Sequence, residues 1–385
     1  MTKIKLAFIL FTNIRTGGGI ERVLQNYIKY MPSDKFETII IDTDWSDKQR
    51  FLESDIKNIT SKAQVITVKR VGNFEVFAKS ELLSYFISFT LGTISLYFNR
   101  RNIKKIFEAT GGPDIIYLFG NQDSYQIPKG PYVIMGSNQC LSNLKEPYMT
   151  LFMKFVGLHF VWPNLNAFHL YPFNNKYSLY LFQKYNFALA NGVDTSSFYP
   201  VSNRSWRKIR FLFVGRLVEC KGVIKVIEAW NSVKDKIDAE LTIVGRGPLE
   251  RIVREEQFRS NFTFIEGASD LELAEIYRNS DILVVPSVCD SFNLTVLEGI
   301  SSGLFILASN SLIGKFDDAK AENFLSYIDP IPKKISEGIF NIYGEYSTLK
   351  YDRQKAHMFC ENKYSWKSIS SALYKTFIQI YNEKK

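Results

Sequence analysis

The sequence predicts an α/β protein of two domains, each a doubly wound parallel sheet. Three observations carry that expectation. The first is the run Ile282-Leu283-Val284-Val285, closed by Pro286 and followed by a polar loop and a helix starting near Leu294. A continuous apolar run suits a strand buried on both faces, as parallel sheets require. The second is the repetition of that pattern, short apolar strand then amphipathic helix, along both halves of the chain. The third is the turn Asn191-Gly192, which opens a polar run to Pro200 and reads as a linker between the halves.

The elements follow in order. Lys5 to Phe11 is a strand, then Thr12 to Gly19 is a turn rich in glycine, then a helix runs from Ile20 to about Tyr30. Gly17, Gly18 and Gly19 let backbone approach a ligand closely. Phe36 to Ile41, Val65 to Val68, Asp114 to Leu118, Tyr132 to Met135 and Phe187 to Ala190 are further strands, with a helical partner in Ser46 to Lys57. After the linker, strands are expected at Ile209 to Val214, Glu240 to Val244, Phe262 to Ile265, Ile282 to Val285 and Phe305 to Ala308. Helices are expected from Lys221-Gly222 to about Trp230, over Leu271 to Tyr277, from Leu294 to a Gly303 stop, and from Tyr364-Ser365-Trp366 to Lys385. Asn293 or Ser291 caps the start of the third. The domains are then 1–192 and 193–365, with the helix 366–385 packing back on the first.

Composition narrows the function classes. The chain has 385 residues, 46% hydrophobic and 23% charged, ordinary values for a globular protein with large cores. Lys3 and Lys5 precede an apolar run that Thr12-Asn13 break early, so no signal peptide is expected. Cys140, Cys220, Cys289 and Cys360 lack metal spacing, as do His159, His169 and His357. Free thiols in a reducing, cytoplasmic compartment and no metal site are the expectation. The net charge is +9, and residues 1–190 hold 22 Lys+Arg against 14 Asp+Glu. A basic half suits an anionic membrane face, a nucleic acid or a phosphorylated acceptor. Leu82 to Phe98 is uncharged and slightly short for a membrane span, which favours a buried or interfacial helix. Pro147 to Val193 has no Asp or Glu and many aromatics beside Lys154, Lys176 and Lys184. That mixture suits a peripheral membrane face. Its lack of Arg argues against a phosphate backbone, so nucleic acid is the weaker partner.

Chemistry concentrates at strand ends. The loop after Val285 meets a helix N-terminus, where backbone N–H groups and the dipole suit a diphosphate. Asn293, Leu294 and Thr295 stand there, flanked by the carboxylates of Asp290 and Glu298, which are suited to sugar hydroxyls. Arg216 and Lys221, after the strand ending at Val214, form a cationic clamp for phosphates.

These residues resemble the family 4 glycosyltransferases, which have the two-domain GT-B fold. Pro286-Ser287, Asp290, Phe292, Leu294 and Glu298 fit the family's P-S-x-x-E-x-F-x-L-x-x-x-E frame, with Asp290 in place of its first Glu. Gly18-Gly19-Ile20-Glu21-Arg22 resembles its first loop, Asn191 to Pro200 its interdomain N-G-V-D-x-x-x-F-x-P, Gly215 to Gly222 its G-R-x-x-x-x-K-G, and Gly245 to Pro248 its G-x-G-P turn. The resemblance implies transfer of a sugar from a nucleoside-diphosphate donor, UDP or GDP, with retention of configuration and without a metal. The acceptor is a glycan, a lipid-linked or a protein-linked sugar, presented by the N-terminal domain. It further implies that Gly18, Gly19, Arg216, Lys221, Asn293, Leu294 and Thr295 meet the diphosphate. Asp290, Ser291 and Phe292 meet the sugar, and Gly245, Gly247, Ile265, Glu266 and Glu298 meet the nucleoside. The family's His after the fifth strand is absent, and Asn138 is the nearest polar group. A nucleotide-sugar binding protein without transferase activity, or a GT-B enzyme that modifies nucleic acid, are the alternatives.

Overall fold

The computed structural model describes residues 3–10, 13–16, 19–43, 53–68, 101–119, 133–137, 167–171, 186–188, 191–201, 208–288, 290, 292–346 and 351–383. Gly18, Asn138, Ser291, the segment 82–98 and most of 147–193 lie outside them, as do Cys140 and Cys289. The chain divides into two units, 1–189 with 370–385, and 190–369.

In the first unit, β1 (Ile4–Ile9), β2 (Phe36–Thr43), β3 (Gln64–Val68), β4 (Ile115–Leu118), β5 (Val133–Ser137), β6 (Ala167–Tyr171) and β7 (Asn186–Ala188) form one sheet. Its order is β3-β2-β1-β4-β5-β6-β7, and every pairing is parallel. β1 and β4 are buried along nearly their whole length, which is why their sequences are apolar runs rather than alternations. The helix Gly19–Lys29 turns Val23, Leu24, Tyr27 and Ile28 onto the sheet. The loop after β1 is tied to the end of β2: Ile14 N–H donates to Asp42 Oδ2 (3.1 Å), and Asn13 Nδ2 donates to the Thr43 carbonyl (3.0 Å). The last helix, Trp366–Glu383, supplies part of this unit's core. Its Phe377 packs on Phe36 and Tyr117, with ring centroids 6.2 and 6.1 Å apart, and the Tyr374 hydroxyl donates to the Tyr27 carbonyl (2.9 Å).

The second unit repeats the plan. β8 (Ile209–Val214), β9 (Ala239–Val244), β10 (Thr263–Ile265), β11 (Ile282–Val285), β12 (Phe305–Ser309) and β13 (Leu325–Ile328) lie in the order β10-β9-β8-β11-β12-β13, all parallel. The order reverses between β8 and β11, the switch point outside which ligands of such sheets bind. Side chains of β11 alternate between two cores. Leu283 and Val285 join Leu297, Ile300 and Phe316, while Ile282 and Val284 join Phe211, Trp230 and Ile339. A fully buried side chain of this size contributes about 1.5–3 kcal/mol.

Local signals set the helix ends. Ser269 and Glu272 close a reciprocal capping box on the helix Asp270–Arg278. Asn293 caps the helix Leu294–Ser301, its Oδ1 accepting from Thr295 N–H (3.0 Å). That helix ends at Gly303 (φ +77°), where Gly303 N–H donates to Ile300 O and Leu304 N–H to Gly299 O, both at 2.9 Å, a Schellman turn. Elements absent from the sequence reading include β6, β13 and the helices Glu250–Ser260, Asp317–Ala321, Pro332–Glu345 and Arg353–Tyr364. Arg353 fixes the last of these to the sheet by donating to Asp281 Oδ1 (2.5 Å), whose other oxygen accepts from Arg210 N–H (2.9 Å). Among the described residues, no helix is long and apolar enough to cross a membrane.

Candidate functional site

The loops after β8, β9, β10 and β11 leave the same edge of the second sheet, because all its strands run parallel. Two glycines let them crowd. A Cβ on Gly245 would stand 1.9 Å from the Gly215 carbonyl oxygen, and one on Gly247 would stand 2.6 Å from that of Leu217. Backbone bonds lock the approach: Gly215 N–H to Val244 O (3.1 Å), Gly245 N–H to Ile265 O (3.1 Å) and Leu217 N–H to Arg246 O (2.8 Å). The turn Gly245 to Pro248 and the residue Ile265 are thereby fixed beside the β8 loop.

After Arg216, which is exposed, a short 3-10 turn spans Glu219–Lys221 and stops at Gly222 (φ +79°). Gly222 lies against Pro286, whose ring would be 2.9 Å from an added Cβ. The β8 loop therefore rests directly on the loop after β11, and Val288 N–H donates to the Cys220 carbonyl (2.9 Å). Cys220 is disulfide-bonded, which corrects the expectation of free thiols. Its partner is not among the described residues. Cys360 is free and buried, and burial pushes its thiol well up.

Lys221 and Asp290 meet here. The ammonium donates to Asp290 Oδ1, with the two side chains 26% and 12% exposed. Asn293 Nδ2 donates to Asp290 Oδ2 (2.6 Å), and Lys315 Nζ donates to the Asp290 carbonyl (2.5 Å). One carboxylate thus gathers a cation from the β8 loop and the N-cap residue of the following helix. The Thr295 hydroxyl also donates to Asn293 Oδ1. Since Thr295 N–H serves the cap, it is not directed at a ligand in this structure. Phe292 turns inward onto Phe316, with ring centroids 4.9 Å apart. Glu298, one turn into the helix, accepts from the Tyr277 hydroxyl at Oε2 (2.9 Å).

Among the residues expected at the nucleoside, Glu266 is exposed and paired with Arg254, and its carbonyl accepts from Arg246 Nε (3.2 Å). Gly19 opens a helix of the other unit. Lys315 and Tyr277 are the groups that sequence reasoning missed. Nothing local marks either one, since each reaches the site through tertiary packing. No metal-binding group of His, Cys, Asp or Glu occurs among the described residues.

Residues 199–336 match the family model for glycosyl transferases group 1. An uncharacterized glycosyltransferase of Methanocaldococcus jannaschii is 28% identical over 164 residues, 41% of this chain and 42% of that protein. The chain thus spans under half the length of this curated relative. Likeness to solved structures covers the whole chain. Sucrose-phosphate synthase from Thermosynechococcus elongatus superimposes with a TM-score of 0.75 at 14% identity, over 99% of this chain and 100% of that one. HepE of Anabaena, in complex with UDP and glucose, gives 0.68 at 13% identity over 97% and 99%. The fold is GT-B, two Rossmann-like α/β units, and the sequence likeness to glycosyl transferases group 1 lies within the second unit.

Proposed function

We propose that the protein transfers a sugar from a nucleoside-diphosphate sugar to a hydroxyl of a glycan, lipid-linked or protein-linked acceptor, with retention of configuration and without a metal. The observation that carries the reading is the ammonium of Lys221 held against Asp290 where the β8 and β11 loops touch, at the switch point of the sheet. A diphosphate arriving there meets the Lys221 ammonium and the Arg216 guanidinium, and both charges oppose the negative charge that grows on the leaving group. Asp290 orients Lys221 and presents carboxylate oxygens to the transferred sugar. Glu298 receives the ribose hydroxyls, and the Gly245–Pro248 turn with Ile265 and Glu266 borders the base.

In the reaction the acceptor oxygen bonds to the anomeric carbon as the bond from that carbon to the β-phosphate oxygen breaks. The acceptor's proton passes to the departing phosphate, and the nucleoside diphosphate leaves. Asn138, the polar residue that follows β5 most closely in sequence, is the candidate for a hydrogen bond to the reacting sugar, and it cannot act as a base at neutral pH. The aromatic, acid-poor stretch of the N-terminal half serves an acceptor at an anionic membrane surface in this proposal.

The test is nucleotide release from UDP- and GDP-sugars in the presence of candidate acceptors. Lys221→Ala is expected to lower kcat/KM by roughly 10²–10³-fold. Undiminished turnover in that variant rules out the role given to Lys221. The anomeric configuration of the product, followed by NMR, decides retention, and activity in EDTA decides metal independence.

A further inference from the structure

We infer that Tyr277 is a positioning residue for the donor: its phenol holds the Glu298 carboxylate in the orientation that receives the ribose hydroxyls. The inference rests on the assignment of Glu298 to the ribose.

Tyr277 lies on the helix before β11 and Glu298 on the helix after it, 21 residues apart in sequence. The phenol oxygen donates to Glu298 Oε2 at 2.9 Å, while the ring is wholly buried. Phe198, from the polar run that follows Asn191-Gly192, packs edge-on against the ring, with centroids 5.4 Å apart and planes at 88°. The linker is itself pinned to this unit, since the Ser301 hydroxyl donates to the Phe198 carbonyl (2.5 Å) and Arg278 donates to the Ser197 carbonyl (2.9 Å). Tyr277 therefore has one place to stand.

Thr295 stands one turn before Glu298 on the same helix face. Its hydroxyl donates to Asn293, and Asn293 donates to Asp290. Tyr277 thus fixes the acid assigned to the nucleoside, while Asn293 and Thr295, at the start of the same helix, fix the acid assigned to the sugar. Burial, reinforced by the nearby Glu298 charge, keeps the phenol protonated and donating. A glutamate on a helix surface otherwise samples several rotamers, and holding it in one removes an ordering cost from ligand binding.

Tyr277→Phe keeps the ring in the core and deletes the donor. Titration calorimetry compares UDP and GDP, their 2′,3′-dideoxy counterparts and inorganic pyrophosphate. For the diphosphate that the wild type binds, Kd is expected to rise roughly tenfold. The dideoxy compound and pyrophosphate are expected to bind variant and wild type alike. An unchanged Kd, or an equal loss on the dideoxy compound, overturns the role of Tyr277. Should Tyr277→Phe fail to fold, Phe198→Leu keeps the phenol and loosens its seat. It is expected to weaken ribose-containing ligands only, and an equal effect on both ligand classes refutes the inference. Glu298→Gln separates this from the donor assignment. A wild type that binds neither UDP nor GDP, or a Glu298→Gln variant that binds as well as wild type, defeats that assignment. A loss in Glu298→Gln without one in Tyr277→Phe defeats only the positioning role.

Discussion

Gly245→Ala is a one-carbon change whose cost can be worked from the structure. The new methyl carbon falls 1.9 Å from the Gly215 carbonyl oxygen, 3.1 Å from the Gly215 carbonyl carbon and 3.2 Å from Leu217 Cδ2. The first obstacle is backbone and cannot swing aside, so the ends of β8 and β9 must part. Two bonds cross that seam, Gly215 N–H to Val244 O (3.1 Å) and Leu217 N–H to Arg246 O (2.8 Å). Losing both costs about 2 kcal/mol, and the strain of overpacking adds about 1–3 kcal/mol. The total, about 3–5 kcal/mol, is a large share of the roughly 5–15 kcal/mol by which a domain is stable. Hydrogen exchange measures this locally. Amides of β8 and β9 are expected to lose about two to three and a half decades of protection, while β1 and β2 in the other unit keep theirs. Nucleoside diphosphate affinity is expected to fall as well, because the same seam sets Arg216 beside Gly245–Pro248. Unchanged protection in β8 and β9 refutes the steric reasoning.

Three further outcomes are expected. Asp290→Asn removes a negative charge beside the phosphate site, so Kd for pyrophosphate is expected to fall roughly fivefold while sugar transfer drops. Weaker pyrophosphate binding in that variant contradicts the assignment of Lys221 to the diphosphate. Burial raises the Asp42 carboxyl above its ordinary value, despite hydrogen bonds from Thr67 and Ile14 N–H and the charge of Arg15. A raised acid favours folding below its unfolded pKa, and that advantage is lost as pH rises through the folded value. Asp42→Asn should therefore gain Tm relative to wild type at pH 7 and much less at pH 4, and equal differences at both contradict it. For Asp318, burial pushes the carboxyl up but is outweighed by Lys363, the Tyr364 hydroxyl (2.6 Å) and Ala319 N–H (2.9 Å), which leave it lowered. Its contribution holds above the unfolded pKa and fades as pH falls through the folded one. Asp318→Asn is thus expected to lower Tm at pH 7 and to matter less near pH 3.

What was legible in the sequence was what short stretches decide. Ile282 to Val285 reads as a buried strand because both of its faces pack into cores, and Asn293 and Gly303 bracket a helix by bonds that span a few residues. The interval from Gly222 was partly legible. A left-handed glycine separates a 3-10 turn from the helix Val223–Val233, whose start matches the expected one, while the 3-10 turn itself carried no local signal. Leu325 to Ile328 escaped notice because this short strand pairs on one side and leaves Ser326 exposed, so its pattern is mixed. The contacts of Lys315 with Asp290 and of Tyr277 with Glu298 could not be read at all. They join residues 25 and 21 apart, and only the packing of whole helices and loops brings them together.

The last helix gives the order of synthesis a physical meaning. Residues 1–189 leave the ribosome before residues 190–369, yet the aromatic wall built by Phe36 and Tyr117 is finished by Tyr374 and Phe377, made after both. The opening half of the molecule must wait, with a greasy flank exposed, until the second unit has been translated. A chain cut short at Ser365 would keep every strand of both sheets and still leave that flank bare.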